Sequence, residues 1–268
     1  MGTPFVFAAG VLGAILASFL EVVADRLPRG EKPFGRSHCD HCGRTLSWFE
    51  LIPVLSWLLL RGRCRTCDAR IPIRHLLFEV SLGAVFASVA ATAPYPVDPW
   101  LLGIRFTVLS VLAVVLLADL RYFIIPDTAS LGLFVLASFL VLAAARFSVP
   151  WASVIPPIEE AILGAIFGAT LLGVFALVSR GTWMGWGDVK LATALGVLLG
   201  FPDVLLLLAF AFMAGAVVGL VLVGTKRRAM QDLLPFGPFI VLGTLPFLFG
   251  FGPAIERFFG LQDFLDIL

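Results

Sequence analysis

Residues 204–224 read VLLLLAFAFMAGAVVGLVLVG, an unbroken apolar stretch without a charged side chain. A helix needs about 20 apolar residues to cross a hydrocarbon core about 30 Å thick, so this stretch predicts a transmembrane helix. Similar stretches lie at 5–24, 76–93, 101–118, 129–145, 161–178, 189–201 and 236–252. Together they predict an all-α polytopic membrane protein with about eight transmembrane helices, of which 189–201 is the shortest.

The composition excludes an ordinary soluble protein. The chain has 268 residues, of which 60% are hydrophobic and only 14% are charged, whereas soluble domains carry about 25% charged residues. The first apolar stretch could be mistaken for a signal peptide, but it lacks a basic start. Glu21, Asp25 and Arg26 also stand where a cleavage site would fall. We therefore expect a retained helix.

The distribution of basic residues predicts the orientation. Ten of the 19 Lys and Arg residues lie between positions 26 and 74, after the first predicted helix. Loops rich in Lys and Arg stay in the cytoplasm, so we expect this loop inside and the N-terminus outside. Eight alternating crossings then place segments 119–128, 179–188 and 225–235 inside. The last of these contains Lys226, Arg227 and Arg228, which agrees with that placement.

All four cysteines fall in the basic loop as two Cys-x-x-Cys pairs: Cys39, Cys42, Cys64 and Cys67. Two such pairs at this separation are typical of a structural zinc site, in which four thiolates surround the ion. Gly43 and Asp68 directly follow the pairs and suit turns that fold back around a metal. Two redox dithiols, or four unconnected thiols, are the alternatives, although disulfides are rare in the reducing cytoplasm. The apolar-biased segment 51–60 is too short to span a bilayer, so we expect it to pack on the loop or lie at the interface.

These features predict three regions: a first transmembrane helix at 1–24, a cytoplasmic four-cysteine zinc loop at 25–75, and a multi-helix membrane domain at 76–268. No feature suggests a nucleic-acid partner, and we expect the lipid bilayer to surround the helices.

Three carboxylates at helix ends are the candidates for function, because an acid in a membrane is costly and is retained mainly for a role. Asp119 and Asp188 are predicted at the same cytoplasmic face on different helices, where two carboxylates could share one proton and activate a water. Each also has a simpler role open to it: Asp119 could pair with Arg121, and Asp188 could cap its helix. Asp127, directly before the next helix, is expected to be an N-cap.

Other functions would suit paired membrane carboxylates. A proton- or metal-coupled transporter with a zinc-binding loop is one alternative, although the sequence has no convincing internal repeat. A non-catalytic membrane scaffold that binds a partner through its zinc loop is another.

The residues resemble the bacterial type IV prepilin peptidases, a family of intramembrane aspartyl proteases. Gly185-Trp186-Gly187-Asp188 is similar to the family's Gly-x-Gly-Asp signature, and the paired cysteines lie in the expected first loop. Further similar stretches follow in the family's order: 17–28 (ASFLEVVADRLP), 52–57 (IPVLSW), 61–64 (RGRC), 125–127 (IPD) and 235–239 (PFGPF). The ordered set is far more specific than any one motif.

The resemblance implies a function and a site. Asp119 and Asp188 match the family's catalytic aspartates, and its zinc ligands match the four cysteines. The family cuts the basic leader of prepilins and pseudopilins after a glycine, at the cytoplasmic face of the bacterial inner membrane. Members with the cysteine loop usually also methylate the new N-terminal amine with S-adenosylmethionine. Members often carry Asn where Glu21 stands, which leaves the role of that helix end open. They also often carry a second acid where Arg121 stands, and this departure supports Asp119 as the working acid.

Overall fold

The computed structural model describes residues 2–32, 35–93, 97–226 and 234–261. Within these ranges the secondary structure is helical, with two isolated β-bridges in the cysteine loop. The α-helices are α1 (Thr3–Arg26), α2 (Leu55–Leu59), α3 (Ile73–Thr92), α4 (Pro99–Tyr122), α5 (Asp127–Arg146), α6 (Ile158–Val178), α7 (Trp186–Leu199), α8 (Asp203–Gly224), α9 (Gly237–Leu248) and α10 (Gly252–Phe258). The predicted all-α membrane class is confirmed.

The number of crossings differs from the expected eight. In the described ranges, six helices are long and apolar enough to span a bilayer: α1, α3, α4, α5, α6 and α8. A seventh candidate is the pair α9 and α10, which is bent by 98°. The predicted span at 189–201 corresponds to α7, which has 14 residues and is about 21 Å long at 1.5 Å per residue. Arg227 and Arg228, used above for orientation, lie outside the described residues.

The chain separates into two compact units. The first comprises Met1–Val97 and Leu102–Leu117, and the second comprises Asp98–Leu101 and Ala118–Leu268. The expected boundaries after residues 24 and 75 stay a prediction.

In the first unit, α1 and α3 pack closely through small residues. A Cβ added to Gly13 would lie 2.8 Å from Phe86, and one added to Gly83 would lie 2.9 Å from the carbonyl oxygen of Gly10. Phe86 is fully buried, and its ring stacks on Phe106 of α4 with 4.3 Å between centroids. The cysteine loop therefore connects two closely packed helices.

Segment 51–60 packs on the cysteine loop, as expected. It forms the end of a short 3₁₀ turn (Trp48–Leu51) followed by α2. The indole Nε1 of Trp57 donates a hydrogen bond to the carbonyl oxygen of Ile71 at 3.2 Å. The Trp57 ring also lies against Gly62, where an added Cβ would be 2.7 Å from the ring.

In the second unit, α7 is the central helix and contacts α5, α6, α8 and α9. Leu191 and Leu195 are fully buried. The backbone of α6 approaches closely, since a Cβ on Gly168 would lie 2.7 Å from the carbonyl oxygen of Ala192. Because protein surrounds α7, its short length is compatible with burial inside the bundle and does not require a full crossing.

Candidate active site and metal centre

Asp119 lies in the last turn of α4 and is buried, with 5% of its surface exposed. Its Oδ2 accepts a hydrogen bond from the backbone N–H of Gly237, the first residue of α9, at 2.8 Å. The first N–H groups of a helix have no partner within the helix, so they are suited to bind an anionic group. The N-terminus of α9 therefore fixes one carboxylate oxygen of Asp119.

Asp188 lies in the first turn of α7 and is also buried. Its Oδ2 accepts a hydrogen bond from the backbone N–H of Gly185 at 3.1 Å, which is the return half of a capping box. The expected capping role is thus correct for this oxygen. The other oxygen, Oδ1, is buried and has no hydrogen-bond partner among the described residues. Capping leaves half of the carboxylate available for other chemistry.

The structure brings the two aspartates close enough to interact electrostatically. Both belong to the second unit. The glycine before Asp188 is needed for this packing, because a Cβ on Gly187 would lie 2.9 Å from the Cβ of Ile125. The stretch that follows α4 therefore packs directly against the turn that carries Asp188.

Asp127 does not have the expected role. It is the first residue of α5, with Pro126 in the N-cap position, and no side chain caps the helix. The Oδ1 atom of Asp127 instead accepts a hydrogen bond from the Nζ of Lys190 at 2.7 Å, in an exposed ion pair. The prediction of an N-cap was wrong because the helix begins one residue earlier than expected, at Asp127 itself, with Pro126 in the N-cap position. The pair ties α5 to α7 on the surface.

The four cysteine sulfurs form a cluster in the first unit. The Sγ atoms of Cys39, Cys42, Cys64 and Cys67 all lie within 4.8 Å of one another. Each pair lies in a turn that folds back after the second cysteine. The residues at these turns, Gly43 and Asp68, have φ angles of 68° and 57°, in the left-handed region. The expected clustering is confirmed, and the cluster can bind a metal ion.

The thiols are not equivalent. Backbone N–H groups of Cys67 and Thr66 lower the pKa of the Cys64 thiol to about 6. The Ala69 N–H favours the Cys67 thiolate, but burial and hydrogen bonds with the other thiols outweigh it and raise that pKa to about 11. The thiols therefore differ in how readily they lose a proton. A metal must displace the remaining protons when it binds.

A buried carboxylate supports the cysteine loop. Glu50 Oε1 accepts a hydrogen bond from Arg44 at 2.6 Å, and Glu50 Oε2 accepts one from the backbone N–H of Ser47 at 2.8 Å. Arg44, first, and then the Ser47 N–H lower the pKa of the Glu50 carboxyl. Glu50 thus links the segment that follows the first cysteine pair, which contains Arg44, to the 3₁₀ turn that precedes α2.

Sequence reasoning missed the role of Gly237. In the sequence, the stretch 235–239 (PFGPF) contributes only to the family resemblance, and no role was predicted for Gly237. The signal was present in part, because Pro238 next to a glycine is typical of a helix start, where N–H groups are free. Nothing in the spacing indicates which carboxylate those N–H groups bind.

Comparison with known proteins gives the following matches. A family model described as "Bacterial Peptidase A24 N-terminal domain" matches residues 11–93, and one described as "Type IV leader peptidase family" matches residues 106–220. A Burkholderia pseudomallei (strain 1026b) protein named "Prepilin leader peptidase/N-methyltransferase" is 34% identical over 89% of this chain and 83% of its own.

Two further relatives have similar names and a similar degree of identity to this chain. A Bacillus subtilis (strain 168) protein with the same name is 32% identical over 90% of this chain and 92% of its own. An Escherichia coli O78:H11 protein named "Type 4 prepilin-like proteins leader peptide-processing enzyme" is 33% identical over 88% of this chain and 91% of its own. No solved structure matches the chain.

Proposed function

Because this chain belongs to the type IV leader peptidase family, we propose that it removes the basic leader of type IV prepilins and pseudopilins. Membership of the family makes the chain an aspartic peptidase and does not favour the transporter alternative. Asp119 and Asp188 are the catalytic residues in this proposal. The observation that supports it is that two helix N-termini hold these buried carboxylates within electrostatic range of each other.

Two neighbouring carboxylates can act as the general base and the general acid in peptide hydrolysis. One accepts a proton from a water molecule, while its protonated partner donates a hydrogen bond to the scissile carbonyl oxygen. The water oxygen bonds to the carbonyl carbon and forms a tetrahedral intermediate. The C–N bond then breaks as the leaving nitrogen takes a proton from the acid. The Oδ1 atom of Asp188 is suited to this chemistry, because it has no hydrogen-bond partner among the described residues.

The membrane determines where the cut falls. The apolar helix of a prepilin enters between the helices of the enzyme, and its charged leader stays in the cytoplasm. The aspartates then act after a glycine at the cytoplasmic face. This proposal requires the N-terminus of the enzyme outside and the cysteine loop inside, which the excess of Lys and Arg in that loop supports. The protein is a multi-pass protein of the bacterial inner membrane.

The metal in the cysteine cluster is zinc in this proposal. Four Zn–S bonds of 2.3 Å in a tetrahedron separate the sulfurs by about 3.8 Å. The Sγ atoms of Cys39 and Cys67 are 3.9 Å apart, so little movement is needed to close the site. A four-thiolate site has no open position, and its role is to fold the loop. Zinc therefore supplies stability here and no chemistry.

The second activity is methylation of the new N-terminal amine, with S-adenosylmethionine as the methyl donor. The names of the Burkholderia and Bacillus relatives include this activity, and both relatives align with most of the chain. The match to the N-terminal domain model over residues 11–93 gives further support.

Substitution of the aspartates tests the peptidase proposal. Asp119→Asn and Asp188→Asn preserve shape but remove the charge, and each is expected to abolish leader cleavage. Cleavage is measured by the loss of leader mass from a prepilin mixed with membranes that contain the enzyme. Asp127→Asn is the matched control, because it makes the same change in an exposed ion pair, where about 1 kcal/mol or less is at stake.

Three outcomes of this experiment are informative. Loss of cleavage in both site variants, with normal cleavage by the control, supports the proposal. Full cleavage by either site variant refutes the catalytic role of that residue. Equal loss in all three variants, with equal amounts of protein in the membrane, refutes the assignment of the pair.

A further inference from the structure

The first unit contains a cavity of about 310 Å³ next to the cysteine loop. Ligand pockets have volumes of about 300–1,000 Å³, so this one fits a small group rather than a large molecule. Polar side chains of α1 and α3 line it, among them Ser18, Glu21, His75 and Glu79, together with Trp57 of the loop. None of these residues takes part in the proposed hydrolysis.

A histidine and a carboxylate form a pair in this cavity. The Nδ1 atom of His75 lies 2.9 Å from Oε2 of Glu21, and Glu21 is 6% exposed. A carboxylate on one ring nitrogen fixes the orientation of the imidazole and the nitrogen that carries the proton. With the proton on Nδ1, the second ring nitrogen, Nε2, has the lone pair that can accept a proton.

A second buried carboxylate holds a strained turn at the same cavity. Glu79 is 7% exposed, and its Oε2 accepts a hydrogen bond from the backbone N–H of Val54 at 2.6 Å. Val54 has φ 63° and ψ −52°, and the N–H of Leu55 binds the carbonyl oxygen of Pro53 at 2.6 Å. This is the rare form of the γ-turn, which is unfavourable for a β-branched residue. Strained backbone of this kind is concentrated at functional sites.

We propose that this cavity binds the newly formed N-terminal amine for methyl transfer, with His75 as the general base. Glu21 is a positioning residue that acts through the imidazole. The inference rests on the proposed methyltransferase activity and assigns its site. His75 is the one histidine of the three in the chain that lies on a long helix, because His38 precedes Cys39 and His41 lies between Cys39 and Cys42.

The methyl transfer requires a base. An α-amine has a pKa of about 7.7–8.0, so near neutral pH most of it is protonated and has no lone pair for attack. Nε2 of His75 takes one proton from the ammonium group. The amine nitrogen then bonds to the methyl carbon of a methylsulfonium donor, the C–S bond breaks, and its electron pair stays on sulfur as a neutral thioether. The product is a secondary ammonium ion.

The charges of the cavity suit these reactants. The ammonium group and the methylsulfonium donor are both cations and would repel each other in an apolar site. The carboxylate of Glu21, which lies against His75, provides compensating charge where little water is available. An anionic or neutral substrate would lack this match.

The test measures cleavage and methylation on the same molecule. Full-length enzyme is incubated with a prepilin and S-adenosylmethionine at pH 7, and the product is weighed by mass spectrometry. His75→Ala and Glu21→Gln are compared with Glu31→Gln, which makes the same carboxylate-to-amide change at an exposed position. Removal of a general base costs about 10²–10⁴-fold, so His75→Ala is expected to slow methylation about 100-fold.

Two further conditions separate a base from a merely structural residue. Added imidazole is expected to restore methylation by His75→Ala, because it supplies the missing proton acceptor. Raising the pH to about 9, above the pKa of the free amine, is expected to bring both site variants closer to the unaltered enzyme. Neither condition repairs a misfolded cavity.

The outcomes decide the proposal independently of the peptidase assignment. Slow methylation of a correctly cut product, restored by imidazole and by high pH, supports it. Methylation by His75→Ala at the rate of Glu31→Gln overturns it. Loss of methylation that neither imidazole nor high pH restores also overturns it. If the unaltered enzyme cuts the substrate but never methylates it, the proposed methyltransferase activity fails and this inference fails with it, while the peptidase proposal stands.

Discussion

Replacing Gly237 with alanine should disable the aspartate pair without changing either aspartate. A Cβ at this position would lie 2.7 Å from Oδ2 of Asp119, whereas ordinary contact begins at 3.4 Å. The carboxylate must therefore move by about 0.7 Å, and its 2.8 Å hydrogen bond from the Gly237 N–H lengthens to as much as about 3.5 Å, past the usual range of about 2.7–3.2 Å.

The size of the effect follows from the lost contact. A hydrogen bond to a charged group contributes about 1.5–3 kcal/mol, which corresponds to a rate change of about 10- to 150-fold. A catalytic group displaced by 1 Å can cost about 100-fold. The two estimates agree, so we expect Gly237→Ala to cleave a prepilin about 100-fold more slowly.

The assay is the initial rate of leader loss from a prepilin in vesicles, at matched amounts of inserted enzyme. Gly219→Ala is the control, because it adds the same methyl group inside α8, where a Cβ meets no described atom within 4 Å. The reasoning is refuted if Gly237→Ala cleaves as fast as Gly219→Ala. Such a result would mean that the position of Asp119 does not depend on α9.

Two further predictions concern the cysteine loop. Cys39→Ser should reduce the bound zinc from about one ion per chain, measured by elemental analysis of the purified protein, because it removes one of four ligands; unchanged zinc content would contradict the four-thiolate site. Glu50→Gln should make the loop more sensitive to protease at pH 7, since Arg44 loses a buried charged partner. The pKa of Glu50 is lower when folded, so its contribution is present above the unfolded value of about 4.3 and is lost as the pH falls through the folded value. The difference between Glu50→Gln and the unaltered protein should therefore shrink below about pH 4, and a constant difference would argue against the ion pair.

Features that depend on local composition could be predicted from the sequence. The apolar stretch 204–224 lies within α8, which begins one residue earlier at Asp203. The clustering of the cysteines was also predictable, because each pair brings its own turn residue, Gly43 or Asp68. In both cases the information lies within a few residues of the feature.

The burial of α7 inside the bundle could not be predicted, because apolar residues suit a buried helix as well as a transmembrane one. The stretch 189–201 is as hydrophobic as a transmembrane segment. The helix that contains most of it, α7, is buried by neighbouring helices and ends at Leu199. Periodicity does not distinguish these two surroundings.

Contacts between residues that are far apart in the sequence could not be predicted either. The N–H of Gly237 binds a carboxylate 118 positions earlier, and the pair of His75 with Glu21 joins residues 54 apart. Hydropathy identifies Asp119 and Glu21 as costly acids in apolar helices, but it does not identify what satisfies them. The packing of the helices provides that information.

The most direct test of the account is to weigh the product of one reaction. Purified enzyme is incubated with a prepilin and S-adenosylmethionine, and the long fragment is analysed by mass spectrometry. The proposed function predicts a single cut after the leader glycine and one added methyl group on the new N-terminus, with no cut by Asp119→Asn or Asp188→Asn. An intact prepilin after incubation with the unaltered enzyme, or a normal cut by both variants, would contradict it.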